Sequence, residues 1–549
     1  MSDTDTDTEC SAVLDAVVVG AGFAGLYQLH RLDGLGLRVR VFEAGDDVGG
    51  TWYWNRYPGA RCDIESMAYS YSFSPELEQE WQWSERYATQ PELLSYIRHV
   101  VERFDLRRHI TFGAAVTRAL YDRHTHTWTV TTDSGEEVTA RFVIMATGCL
   151  SRVSTPDLPG RDRYRGPVHH TGRWPHEPVD LTGRRVAVIG TGSSGIQLIP
   201  LVAEQAAEVT VFQRTPTFST PARNRPLTRE ESDERKVGYG EFREWLRTTS
   251  VGIPRPLPVH SALEVSADER EAAYRSAWDA GVLGGIQASF TDTLTSRRAN
   301  DLAAEFVRSK IRQIVHDPQT ASVLCPTGFP LGTKRPCLDT DYYATFNLPH
   351  VRLVDLRKTP LVSFTERGVE TTEGEYEADV VVLATGFDAM TGALRAIDVR
   401  GRDGVALRDA WAAGPRTYLG LLTAGFPNLF TVTGPLSPSV LSNMLISIEQ
   451  HVEWITDCIG HLRSHALTEI DATDEAQDDW VRHVADLAAG TLYPEGASWY
   501  QGANIPGKPQ VFMPYVGGIG AYREVCAAVA DTGYRGFALS RLPDELPRT

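Results

Sequence analysis

Apolar residues fall into short unbroken runs, Ala16-Val-Val-Val19 and Val186-Ala-Val-Ile189, each followed by a glycine-rich turn and then by apolar residues at helical spacing. An unbroken run of this length predicts a strand covered on both faces, and the switch to a 3.6-residue period predicts a helix packed against it. The first unit continues through a helix from Leu26 to Leu32 into a second strand, Arg38-Val-Arg-Val-Phe42; the second unit continues into Val209-Thr-Val-Phe212. Thr89-Gln-Pro91 opens a helix with Leu94, Ile97, Val101 and Phe104 on one face, proline suiting its first turn. Alternation around Thr111–Tyr121 and Thr127–Thr132 predicts a small antiparallel sheet. Strand endings recur at Phe142-Val-Ile-Met-Ala-Thr-Gly148 and Leu383-Ala-Thr-Gly-Phe-Asp388. Between residues 223 and 330 the pattern is helical: Ser266-Ala-Asp-Glu269 reads as a capping box, and Leu302, Phe306, Ile311, Ile314 and Val315 keep helical spacing up to Pro318. A long helix is expected from Val440 to about Leu462, bearing Met444.

The two turns change this from a pattern into chemistry. Gly20-Ala-Gly22-Phe-Ala-Gly25 and Gly190-Thr-Gly192-Ser193-Ser194-Gly195 both read G-x-G-x-x-G between a strand and a helix. Such turns bring backbone N–H groups close to a pyrophosphate, so the chain is expected to hold two dinucleotides, one a flavin and one a nicotinamide. Glu43 ends the second strand, where a carboxylate accepts both hydroxyls of an adenosine ribose. The matching strand of the second unit ends in Gln213-Arg214-Thr215, with no acid and with a cation in reach of a 2′-phosphate, which points to NADPH over NADH. The fold class is α/β with two Rossmann-like dinucleotide-binding domains. The repeated Ala-Thr-Gly endings resemble the crossing points of two-dinucleotide flavoproteins, a resemblance that implies one domain inside the other: a tail at 1–14, a flavin domain at 15–148 and 385–549, a nicotinamide domain at 149–222 and 331–384, and a helical insert at 223–330.

Composition narrows the partners. A chain of 549 residues and 60.7 kDa exceeds what one core supports. A net charge of −17 disfavours nucleic acid and anionic membrane surfaces. Only five of the 54 basic residues are lysine, a bias suited to a GC-rich bacterial genome. The seven cysteines include no Cys-x-x-Cys pair, no run is long and apolar enough to span a bilayer, and the N-terminus is acidic, so a cytoplasmic protein with a frayed tail is expected. No metal site and no obligate protein partner is implied.

The segment between the turns, Tyr164-Arg-Gly166-Pro-Val-His-His170-Thr-Gly-Arg-Trp174-Pro175, matches Phe-x-Gly-x-x-x-His-x-x-x-Trp-Pro with tyrosine in the first position. On this and the paired turns the chain resembles type I Baeyer–Villiger monooxygenases, nearest the branch acting on phenylacetone and steroids. The resemblance implies FAD, NADPH and dioxygen, and insertion of an oxygen beside a ketone carbonyl through a flavin C4a-peroxide and a Criegee adduct. It implies that Gly50, Thr51 and Trp52 run along the flavin, with Asp63, Tyr69, Val116 and Met444 beside it, and that Trp499 belongs to a loop closing over NADP. Arg335 would stabilise the peroxide and the adduct, Asp63 would hold Arg335, and Lys334 would join Arg214 at the 2′-phosphate. His170 and Trp174 would sit in a linker that couples coenzyme binding to domain rotation. Cys149, Leu436, Ser439, Val440 and Leu441 would shape the substrate pocket. The chain departs from the family pattern at Tyr164, Cys149, Leu436 and Pro336. A related monooxygenase acting on nitrogen or sulfur and a non-catalytic flavin sensor are the competing readings; disulfide reductases share the plan but require a redox cysteine pair.

Overall fold

The computed structural model describes residues 13–542, so the acidic N-terminal run and Cys10 lie outside the described residues. The first strand, Leu14–Val19, starts within the stretch read as a tail, because Leu14 already pairs with Ala140.

An eight-stranded sheet runs in the order Asp398–Arg400, Val116–Asp122, Thr127–Thr132, Glu137–Met145, Leu14–Val19, Val39–Phe42, Ile110–Thr111, with Leu429–Thr431 also paired to Glu137–Met145. Its Leu14 side is parallel and its Thr127 side antiparallel. The expected antiparallel element from Thr111 is therefore split: Ile110–Thr111 joins the parallel edge, and Gly113 at φ 61° turns the chain before the hairpin begins at Val116. A second sheet of five parallel strands has the order Val351–Asp355, Glu208–Gln213, Arg185–Ile189, Val380–Leu383, Val168–His170. Val186, Ala187, Val188, Val381 and Val382 are all buried, as an unbroken apolar strand requires.

Two helices differ from their expected starts. The first spans Phe23–Gly34, beginning at the glycine turn itself. The long C-terminal helix begins at Met444, not Val440. Ser439–Leu441 forms a separate 3₁₀ turn, Ser442 is extended, and the Asn443 side chain caps the helix by accepting the Leu445 N–H at 3.1 Å.

The helical segment forms no core of its own. Tyr239, Phe242 and Leu246 pack into the apolar cluster under the first sheet, whereas Tyr274, Trp278, Phe306 and Ile311 pack into the cluster under the second. It bridges the two cores. The expected capping box at Ser266 and Glu269 is present, and a second, Thr228 with Glu231, starts the helix Arg229–Val237.

The two Ala-Thr-Gly endings lie side by side. The Ser154 N–H donates to Gly386 O and the Asp388 N–H to Arg152 O, both at 2.8 Å, with Val153 opposite Phe387. Both passages between the sheets therefore form one narrow antiparallel strap.

Candidate active site

The glycine turns are near copies. Gly20 and Gly190 have φ of 106° and 110°, a region L side chains avoid. A Cβ on Gly20 would lie 2.6 Å from Ala146 O and one on Gly190 2.4 Å from Ala384 O. Each turn is thus closed from behind by its own Ala-Thr-Gly ending. Cβ atoms on Gly25 and Gly195 would strike Gly20 O and Gly190 O at 1.8 and 2.4 Å, so glycine there is what seats each helix on its strand.

One cavity of about 630 Å³ joins the two units, a volume suited to a cofactor. Gly20, Gly22 and Phe23 bring the start of the helix Phe23–Gly34 to its wall, and Ser193, Ser194 and Gln197 bring the start of Ser193–Ala203. Helix starts present N–H groups without internal partners, the donor set an anionic pyrophosphate needs. Gly22 and Gly50 are packed backbone to backbone, since a Cβ on Gly50 would lie 2.9 Å from Gly22 Cα. Thr51, Trp52 and Asp63 continue that wall; Tyr69, Val116, Cys149, Val440, Met444 and Trp499 complete the lining from other elements. These contacts fit a dinucleotide with a flat ring system: backbone donors at one end, aromatic and apolar faces at the other.

Glu43 stands at the donor end. Its carboxylate accepts the Ala21 N–H at 2.7 Å and the Gly45 N–H at 2.8 Å, which fixes it against the first turn. Burial raises its pKa, opposed by those bonds and by Arg173. In the second unit Gln213 occupies the equivalent strand end and is turned away, donating to Val323 O at 2.9 Å. Arg214 is exposed beside it. Lys334 is close enough to Arg214 that, after burial, repulsion from Arg214 is what lowers its pKa, and its Nζ donates to Ala497 O at 3.0 Å. Arg214, Thr215 and Lys334 lie outside the large cavity.

Arg335 reaches the cavity from the coil before the short strand Cys337–Asp339, an extended setting that Pro336 enforces. Its Nε donates to Asp63 Oδ2 at 3.2 Å, its Nη2 to both Asp63 oxygens at 2.8 Å, and its Nη1 to Val440 O at 2.6 Å. Four contacts leave one N–H on Nη1 uncommitted. Both side chains keep about a fifth of their surface exposed, on the cavity side. Burial disfavours the charge, but Asp63 more than compensates and holds the guanidinium pKa above its ordinary value. The site therefore carries a fixed cation at any working pH.

The residues expected to shape the substrate pocket line the cavity only in part. Cys149 and Val440 line the cavity, whereas Leu436, Ser439 and Leu441 do not. Leu436 is buried with its carbonyl bonded to Trp480 Nε1, and Ser439 donates to Thr433 O at 3.1 Å. Leu441 packs behind the wall with Tyr493, Tyr500 and Phe512. Positive φ at Leu436 (70°) and Ser439 (40°) turns that loop, a conformation that a family resemblance in sequence does not carry over.

The fingerprint forms a sheet edge beside the strap that connects the two sheets. Val168–His170 is the edge strand of the second sheet. His170 Nδ1 accepts the Gly172 N–H at 3.0 Å, so the neutral ring carries its proton on Nε2, near Ser154 O at 3.3 Å and Thr385 Oγ1 at 3.2 Å. It thereby joins the edge strand to both passages of the strap, and burial lowers its pKa. Tyr164 OH donates to Ala378 O at 2.9 Å, the partner its added hydroxyl needs. Gly166 must be glycine, because a Cβ would lie 2.5 Å from Asp379 O. Trp174 is buried in the second core and Pro175 follows it at the surface edge.

Two further groups were not legible as functional. Lys508 Nζ reaches Asp388 at 2.6 Å and Ala389 O at 2.7 Å, and Asn504 Nδ2 donates to Phe387 O at 2.8 Å, so the loop bearing Trp499 is pinned to the strap. The only hint was Asp388 after the repeated Ala-Thr-Gly. His451, fully buried, accepts the Thr433 N–H on Nδ1 at 3.0 Å and faces Tyr522 OH with Nε2 at 2.8 Å. Thr433 lines the cavity at φ 53°, so this histidine holds the turn. Burial drops its pKa from 6.5 to about 3. Unfolded, it takes a proton near 6.5; folded, it stays neutral until about 3. Its contribution to stability is complete above 6.5 and is lost as pH falls toward 3, by up to about 1.4 kcal/mol per pH unit. Urea unfolding between pH 7.5 and 5 should accordingly show a shallower pH dependence in His451→Gln than in the parent.

The pyridine nucleotide-disulphide oxidoreductase family matches residues 17–235; among the described residues all cysteines are free. The chain is 42% identical over 548 residues to a Baeyer–Villiger monooxygenase of Pseudooceanicola batsensis, covering 99% of each chain. It is also 42% identical over 537 residues to a phenazine N-monooxygenase of Lysobacter antibioticus, covering 97% of this chain and 98% of that one. A solved structure of an oxidized steroid monooxygenase bound to NADP is 52% identical, with a TM-score of 0.93 over 96% of this chain and 100% of the other. Paired glycine turns opening on one cavity, a guanidinium fixed over it and this full-length likeness together establish that the chain belongs to the Baeyer–Villiger monooxygenase family.

Proposed function

We propose that the protein is an FAD- and NADPH-dependent monooxygenase that converts ketones into esters or lactones. The observation that carries this is the Arg335–Asp63 pair, a permanently charged guanidinium fixed by a carboxylate in the wall of the cavity where the two dinucleotide units meet. The Gly20 turn and Glu43 would hold the adenosine and pyrophosphate of FAD, and the Gly190 turn with Ser193 and Ser194 the pyrophosphate of NADPH. Bound FAD, reduced by NADPH, supplies the activation of dioxygen. The chain's part is electrostatic: Arg335 favours the negative charge that develops on the carbonyl oxygen as the ketone is attacked, and it cannot quench that charge by giving up its proton. Trp499 and Met444 give the cavity wall apolar surface. Val440 and Cys149 line the cavity where the substrate would sit, and the likeness to a steroid monooxygenase favours bulky aryl, cyclic, steroid or terpenoid ketones.

Purified protein incubated with NADPH, air and a panel of phenylacetone, cyclohexanone and progesterone should consume NADPH and yield products one oxygen heavier that behave as esters. NADPH loss with peroxide as the only product would overturn the assignment. The likeness to a phenazine N-monooxygenase favours one second reading, oxidation at nitrogen; an N-oxide from a phenazine in the same assay, with every ketone returned unchanged, would select it. For the nicotinamide, Arg214→Ala should raise the KM for NADPH by about tenfold, the loss of a charge-assisted contact, and leave that for NADH unchanged. Steady-state kinetics with both coenzymes measures this.

No helix among the described residues is long and apolar enough to cross a membrane. Within this reading the protein works in the cytoplasm on a small-molecule ketone.

A further inference from the structure

One residue of the fingerprint segment has no role in the reading above. Arg173 ends the 3₁₀ turn Thr171–Arg173 that leaves the edge strand of the second sheet. Its guanidinium carbon lies 3.9 Å from the centroid of the Trp54 ring, which belongs to the turn of helix Thr51–Trp54 carried by the first unit. Arg173, Trp54 and Glu43 all line the large cavity. Among the described residues Arg173 forms no ion pair and no side-chain hydrogen bond; the residue is exposed, partial desolvation of its guanidinium lowers its pKa, and Glu43, nearby at the same end, opposes that. A guanidinium held over an indole, with its donors uncommitted and the Glu43 carboxylate beside it, has the chemistry to meet a purine ring or phosphate oxygens.

We infer that Arg173 grips the adenylate half of FAD, so that the second dinucleotide unit supplies a ligand to the cofactor of the first. This rests on the reading of the large cavity as a flavin dinucleotide site. Trp54 and Glu43 travel with the first sheet and Arg173 with the second, so the bound adenylate ties the two sheets beside the strap.

The test uses the full-length protein stripped of flavin, titrated with FAD and with FMN, which lacks the adenylate, by quenching of flavin fluorescence. Arg173→Ala should raise the Kd for FAD at least tenfold and leave that for FMN unchanged; Arg173→Lys, which keeps the charge and loses the planar guanidinium, should fall between. Unchanged FAD affinity in Arg173→Ala would overturn the inference. A parallel rise for FAD and FMN would overturn it too, because it would mark a general loss of the fold, which thermal unfolding of the stripped variant would register. A parent protein that binds FMN as tightly as FAD would instead refute the dinucleotide reading itself.

Discussion

Arg335→Ala should abolish ester formation while NADPH is still oxidised in air. The guanidinium touches neither glycine turn, so both coenzymes should bind and flavin reduction should survive. What disappears is the one fixed positive charge that Asp63 aims into the cavity. Loss of a preorganised donor to developing negative charge costs a factor of roughly 10² to 10³ in turnover, and here the donor is charged, so the upper end is expected. Product analysis beside NADPH consumption reads this as uncoupling: peroxide rises as ester falls. Asp63→Ala should come close to the same phenotype, since Val440 O would be the only partner left to orient the arginine. The double variant should be little worse than either single one, because the two side chains act as one unit. Full ester formation by Arg335→Ala would remove the residue from the mechanism.

The second large effect is expected at the other end of the cavity. Glu43→Ala should yield protein purified largely without flavin, with the Kd for FAD raised on the order of 100-fold. The carboxylate satisfies the Ala21 and Gly45 N–H groups, and its loss orphans two buried donors at about 1–3 kcal/mol each as well as removing the ribose contact. Glu43→Gln keeps one acceptor and should lose less. Flavin content after purification and titration of the stripped protein measure both variants. Flavin-replete Glu43→Ala would show that the first turn closes without its carboxylate.

Much of this was legible in the chain. The apolar runs Ala16–Val19 and Val186–Ile189, the glycine spacing and the acid at Glu43 against Gln213 are local features, each set by the few residues that make a strand, a tight turn or a strand end. They give the two parallel units and their ligand preference because a turn's φ angles and a strand's burial are decided within a short window. The pairing of Arg335 with Asp63 came only through the family resemblance, since nothing local links residues so far apart.

Tertiary structure decided the rest. Helical periodicity ran back from Met444 to Val440, but Asn443 caps the helix at Met444; the loop before it turns at Leu436 and Ser439, and three of the pocket positions implied by the family resemblance, Leu436, Ser439 and Leu441, do not line the cavity. The segment 223–330 shows helical spacing whether it stands alone or not; only contacts with both cores reveal it as a bridge. The fingerprint, which the family resemblance places between the domains, forms a sheet edge because Val381 and Leu383 offer it an open side. Sequence by itself determined the elements, the two nucleotide turns and the charge that each strand end presents. Which distant side chains meet, and which face the cavity, followed from sheet order and loop geometry, because contacts between residues far apart in the chain depend on the whole packing and not on any window of it.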